Sequence, residues 1–177
     1  MDRSRFFDKL LSPAREVDWE AVYREELPRV YNFFLYRTGD ERLAEDLTAE
    51  TFEKAWRNRG RYRRDLAAFS TWLFTIARHA AVDAFRKPRP EVPLDAVSDL
   101  AGEETVEGSV QQRADFERLS ILLARLPDRE RELVALKYGA GLTNRTIARL
   151  SGLSESNVGT ILHRVTQGLR LAWEAEP

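Results

Sequence analysis

The chain has no cysteine and only two histidines in 177 residues. Without thiols it can form neither disulfides nor thiolate metal sites, and two isolated histidines do not make the ligand clusters that hold zinc. No metal and no cofactor is expected, and a reducing compartment suits the composition. Long apolar runs are also lacking: nothing approaches the roughly 20 residues that span a bilayer. The opening stretch MDRSRFFDKLLSPAREVDWE has no sustained apolar core of the signal-peptide kind. These absences predict a soluble, cytoplasmic protein with no membrane span. A period-two alternation of apolar and polar residues is missing over any useful length, which argues against strands.

An excess of either charge is missing too, since the formal net charge is −1. Counted by segment, the balance is uneven. Residues 1–87 hold 17 Lys/Arg against 15 Asp/Glu and residues 113–177 hold 10 against 8, while residues 88–112 hold 1 against 6. That acidic middle, PRPEVPLDAVSDLAGEETVEGSVQQ, carries Pro88, Pro90, Pro93, Gly102 and Gly108. Its prolines favour extended chain and its carboxylates repel one another, so it reads as a flexible linker. The expected organisation is all-α: an N-terminal helical domain over 1–87, a linker over 88–112 and a C-terminal domain over 113–177.

In the N-terminal part Trp19, Val22, Tyr23, Leu27, Val30, Phe34 and Leu35 recur at helical spacing, interrupted only by Pro28. A second helix is expected after Thr38-Gly39-Asp40, with Leu43, Leu47, Phe52, Ala55 and Trp56 inward. A third covers about Phe69 to Arg86 and is stopped by Pro88. The C-terminal part predicts four helical patches, Phe116 to Leu126, Arg129 to Tyr138, and a closing pair within Leu142 to Arg170.

In that pair Thr143 and Ser154 can cap the two helices, and Gly152 permits the turn between them. Val158, Leu162, Val165 and Leu169 should face a core. The opposite face carries Ser156, Asn157, Thr160, His163, Arg164 and Gln167, side chains suited to base edges and phosphates in a DNA groove. Arg145 sits in a first helical turn, where a cation opposes the macrodipole, so a phosphate contact is one reason for its presence. The competing reading is a helical hairpin that merely packs.

Between Lys54 and Arg64 lie six basic residues interleaved with Trp56 and Tyr62, and Phe69 and Trp72 follow. Cations that track phosphates beside aromatic faces that accept unstacked bases suit single-stranded nucleic acid. The plainer reading makes the aromatics core and the arginines a solvated face. On the next helix His79, Asp83 and Arg86 share a polar face, and on the helix before it Asp46, Glu50 and Glu53 form an acidic strip. No nucleophile or phosphate-binding loop accompanies these carboxylates, so no catalytic residue and no enzyme is expected.

Taken in order, AEDLTAETFEKAW, FSTWLFTIARHAAVDAFRK and LPDRERELVALKYGAGLTNRTIARLSGLSESNVGTILHRVTQGLR resemble the bacterial RNA polymerase sigma factors of the extracytoplasmic-function group. The resemblance implies a two-domain polymerase subunit that recognises and opens promoters. It places Asp46 and Glu50, with Ala49 and Glu53 on the same strip, against the polymerase clamp helices. Arg61, Tyr62, Arg63, Arg64 and Phe69, with His79, Asp83, Arg86 and Lys87, fall where the minus-10 element is melted and captured. Arg145, Ser156, Asn157, Thr160, His163, Arg164 and Gln167 fall on the minus-35 reader. The implied partners are core RNA polymerase through its clamp helices and flap, promoter DNA as duplex and single strand, and an anti-sigma factor.

The chain departs from the family at Ala49, where Gln is frequent, at His79, where Asn is frequent, and at Gly159 and Ile161, where the family is frequently basic. Fewer cations in the reading helix imply weaker phosphate attraction. The alternative function is an autonomous helix-turn-helix regulator with an N-terminal sensing or dimerisation domain.

Overall fold

Asp18 opens the first helix by accepting a hydrogen bond from the Ala21 amide at 3.1 Å, which satisfies one of the donors that a helix start leaves over. In this computed structural model, which describes residues 18–64, 66–86 and 106–175, helix α1 runs Trp19–Thr38. Pro28 lies inside it without breaking it. The proline is exposed, so water can reach the carbonyl left without its helical donor. Gly39 ends α1 in the left-handed region at φ 66, and its amide donates to the Leu35 carbonyl at 2.8 Å. Asp40 caps α2, Glu41–Arg57, through the Leu43 amide at 2.9 Å.

The buried face of α2 is small: Ala44, Leu47, Thr48, Thr51 and Ala55. The two threonine hydroxyls donate back to the Ala44 and Leu47 carbonyls, so burying them leaves no polar group unmatched. A short 3-10 turn at Arg59–Arg61 follows, then α3, Phe69–Arg86, which buries Leu73, Phe74, Ala77, Ala80 and Ala81. Together α1 to α3 make the N-lobe.

The C-lobe begins earlier than the composition suggests. Helix α4 runs Val106–Ala124, so residues 106–112 belong to a helix rather than to the linker; residues 88–105 of that segment lie outside the described residues. Helix α5, Asp128–Val134, passes directly into a π turn over Ala135–Gly139. Helices α6, Asn144–Ser151, and α7, Glu155–Ala175, complete it.

The two lobes pack on each other and share one apolar core, in which Phe33, Phe34, Leu73 and Phe74 join Leu123, Leu133, Leu136 and Ile147. The seam is also polar. Arg37 of α1, its side chain 1% exposed, donates to the Asp128 carboxylate at 2.7 Å and lies 4.9 Å from the centre of the Phe85 ring. Arg29 donates to the Ala140 carbonyl at 2.9 Å, and Arg78 of α3 binds Glu132 at 2.9 Å and the Leu150 carbonyl. The hydrogen bond from Arg37 holds the Asp128 carboxyl below its ordinary value. A carboxyl lowered on folding adds stability above its unfolded pKa, and that contribution is lost as pH falls through the lowered value. Acid therefore weakens this contact.

Candidate nucleic-acid and protein interfaces

The closing helix pair has the expected caps. The Thr146 amide donates to Thr143 Oγ1 at 3.2 Å and the Asn157 amide to Ser154 Oγ at 3.1 Å, while Gly152 turns the chain at φ 70. Ile147 of α6 and Val158, Leu162 and Val165 of α7 are buried, and Leu169 is half-buried. Arg145, Ser156, Asn157, Thr160, His163, Arg164 and Gln167 are all exposed. Two of these already have partners: the Thr160 hydroxyl donates to the Ser156 carbonyl at 3.0 Å, and Arg164 pairs with Glu130 of α5. A phosphate would have to draw Arg164 away from that carboxylate. Gly159 is not required by packing, since a Cβ there would meet only Asn144 Nδ2, at 3.5 Å.

The basic loop separates its two residue types. Arg61, Arg63 and Arg64 are exposed, whereas Tyr62 and Phe69 are half-buried. Tyr62 lies 5.3 Å from Phe69 and 5.2 Å from Trp72, ring centre to ring centre, and its hydroxyl donates to the Ala67 carbonyl at 3.2 Å. Trp19 meets Phe69 edge-on at 5.5 Å. These contacts pin the loop, with edge-to-face pairs worth about 0.5–1.5 kcal/mol each beyond area burial. Trp56 differs from expectation: it is 50% exposed, with the Arg59 guanidinium 4.1 Å above its ring. Its helical register alone reads as core, but α2 ends one residue later, and the ring is met by the edge of Trp19 at 5.4 Å and by the Arg59 guanidinium rather than by a further turn of helix. On α3, His79, Asp83 and Arg86 are exposed, while Lys87 lies outside the described residues.

The acidic strip is an alternating ladder. Glu50 pairs with Lys54 at 2.6 Å and Glu53 with Arg57, both at i,i+4. Asp46 and Ala49 are exposed on the same helix. Such exposed pairs contribute only about 0.3–0.5 kcal/mol each to the helix, so the carboxylates are easily surrendered to another partner. Among the described residues no cluster of metal-ligating side chains occurs and no helix is long and apolar enough to cross a membrane.

Residues 22–90 match the Sigma-70 region 2 family and residues 116–166 match the Sigma-70, region 4 family. The chain is 33% identical over 154 residues to the ECF RNA polymerase sigma factor SigM of Bacillus subtilis (strain 168), covering 85% of this chain and 92% of SigM. Two solved structures share the fold: CnrH in complex with the cytosolic domain of CnrY, at TM-score 0.70 and 19% identity over 99% of this chain and 100% of that one, and RpoE in complex with the anti-sigma factor NepR from Bartonella quintana, at TM-score 0.69 and 20% identity over 90% and 99%. Region 2 occupies the stretch that an autonomous regulator would need for sensing or dimerisation, so that alternative falls. With both sigma regions present in order on an all-α fold, the chain belongs to the extracytoplasmic-function sigma factors and directs transcription initiation by RNA polymerase.

Proposed function

We propose that three surfaces divide the work of initiation. The α2 ladder, Asp46, Ala49, Glu50 and Glu53, docks the polymerase clamp. The outward arginines 61, 63 and 64, with Tyr62 and Phe69 behind them and Trp56 beside them, border the melted minus-10 strand along the His79, Asp83 and Arg86 face of α3. The exposed face of α7, with Arg145, reads the minus-35 duplex, and the flap engages the C-lobe. An anti-sigma factor is a further partner, the polymerase supplies all catalysis, and the chain works in the cytoplasm. The observation that carries this division is that Asp46, Ala49 and Glu53 of the ladder, the loop arginines and the α7 face are exposed, with Glu50 half-buried beside them, while the lobes are packed together.

Geometry adds a requirement. Elements at minus 10 and minus 35 are separated by about 25 base pairs, or about 85 Å at 3.4 Å each. A compact chain of this length has a radius of gyration of about 16 Å, so the packed lobes are too small to reach both. Residues 87–105 would span at most about 65 Å if fully extended, enough to let the lobes part when polymerase binds. Parting would expose the apolar core that the lobes share, so the polymerase contacts must supply that free energy, while the polar groups of the seam can return to water.

Roles within α7 are separable. Asn157→Ala and Thr160→Ala are expected to change which minus-35 sequences are preferred, each at a cost of about 1–3 kcal/mol at particular base pairs. Arg164→Ala should weaken all sequences alike and flatten the dependence of log K on log salt by about 0.9. Holoenzyme binding to a randomised minus-35 library at several salt concentrations reads both effects. The assignment is wrong if Arg164→Ala alters the preferred sequence while the other two only lower affinity.

A further inference from the structure

Helix α5 carries an acid at every second position of its first turns, Asp128, Glu130 and Glu132, and each holds an arginine of a different helix. Asp128 takes Arg37 of α1 at 2.7 Å and Glu132 takes Arg78 of α3 at 2.9 Å, both across the seam. At 3.6 residues per turn, positions 128 and 132 share one side of the helix and position 130 lies nearly opposite them. Glu130 is therefore left out of the seam. Its Oε1 accepts instead from Nη2 of Arg164, on α7 of its own lobe, at 2.5 Å.

The two partners differ in how firmly they are held. Glu130 stands in the first turn of α5, where the helix N-terminus already favours an anion. That helix is fixed within the C-lobe: Leu133 and Val134 are buried, and Arg131 donates to the Ala124 and Leu126 carbonyls at 2.7 and 3.0 Å. Arg164 is a long side chain on a helix surface, 68% exposed against 22% for Glu130. The carboxylate forms part of the wall of a cleft of about 260 Å³, beside Leu126, Val165 and Leu169, and apolar neighbours strengthen its pull on a cation. Glu130 thus stays in place while Arg164 is free to swing.

We propose that Glu130 is an internal rival of the DNA backbone: in the free chain its carboxylate occupies the Arg164 guanidinium, and a duplex phosphate must displace it. This role rests on the phosphate contact of Arg164 proposed above. A carboxylate and a phosphate both accept from a guanidinium fork, and binding both at once would set two anions side by side. The exchange costs every duplex alike, because a phosphate carries no base identity. Glu130 therefore lowers sequence-independent attraction and leaves the minus-35 preference to Asn157 and Thr160.

A double-mutant cycle tests this. Holoenzyme carrying the wild-type chain, Glu130→Gln, Arg164→Ala or both substitutions is titrated with promoter duplexes that share a minus-10 element and hold either a preferred or a scrambled minus-35 sequence. Gln keeps the shape of Glu and is a good helix former, and circular dichroism checks the fold. Glu130→Gln should bind both duplexes roughly two- to fivefold tighter, the gain that releasing one surface ion pair allows. In the Arg164→Ala background the same change should bring no gain, since no guanidinium is left to release. Unchanged binding by Glu130→Gln overturns the proposal, and so does weaker binding, which would make the carboxylate a support for Arg164. An equal gain in both backgrounds overturns it too, because that is the general effect of removing a negative charge near DNA. Arg164→Ala alone tests the phosphate role separately. A loss on both duplexes keeps that role even where Glu130 fails, and no loss removes it together with the rivalry.

Discussion

Gly139→Ala is expected to lower the unfolding midpoint by about 2–12 °C, or else to open the molecule. A Cβ at Gly139 would lie 2.7 Å from the Asn32 carbonyl oxygen, 3.0 Å from its carbon and 3.2 Å from Phe33 Cα. These are backbone atoms inside α1, which cannot turn aside as a side chain would. Overpacking of this kind costs about 1–3 kcal/mol, and a chain of this size loses roughly 2–4 °C of midpoint per kcal/mol. The strain falls on the seam between the lobes, so the alternative to lower stability is separation of α1 from the π turn. Thermal unfolding followed by circular dichroism reads the first outcome, and the hydrodynamic radius of the native protein reads the second. A variant with both values unchanged would show that the lobes do not meet at Gly139 in solution.

Glu50→Lys should weaken binding to core RNA polymerase by roughly 100-fold, corresponding to about 2.7 kcal/mol. The carboxylate stands 2.6 Å from Lys54 on a helix face where both side chains are about two-fifths exposed. In the free chain, reversal loses this pair and sets two like charges at i,i+4, which costs only a few tenths of a kcal/mol. At a desolvated contact with a basic partner the same reversal costs several kcal/mol, because solvent no longer screens the repulsion. Asp46→Lys, on the same helix, is expected to act in the same direction. A titration of labelled core polymerase, with circular dichroism to confirm the fold, distinguishes the two situations. Undiminished affinity in both variants would remove the ladder from the docking surface.

What the sequence makes legible here is local. Thr143, Gly152 and Ser154 were identifiable because capping and a left-handed turn depend on residues within four positions of one another, and the structure has all three bonded or placed as expected. The periodicity of Val158, Leu162 and Val165 works for the same reason. The seam was not legible. Arg37 reads as an ordinary cation in the last turn of a helix, and only the arrival of Asp128, 91 positions away, makes its burial tolerable. Gly139 reads as a helix break, yet its lack of a side chain is needed by Asn32 on the other lobe. Gly108 and the acidic residues disguised the start of α4 at Val106, because local propensity is a weak prior. Trp56 failed in the opposite sense: the spacing placed it inward, but its orientation depends on where α2 stops.

This chain is expected to present its two DNA-reading faces together only when polymerase has drawn the lobes apart. Mobility shift of a promoter duplex containing both elements, titrated with the chain alone and with the chain plus core RNA polymerase, tests it most directly. The chain alone should give only weak, salt-sensitive binding, and a sequence-specific complex should form only with core present. Tight, specific retention of the duplex by the chain alone, undiminished when the minus-10 to minus-35 spacing is kept at full length, would contradict it.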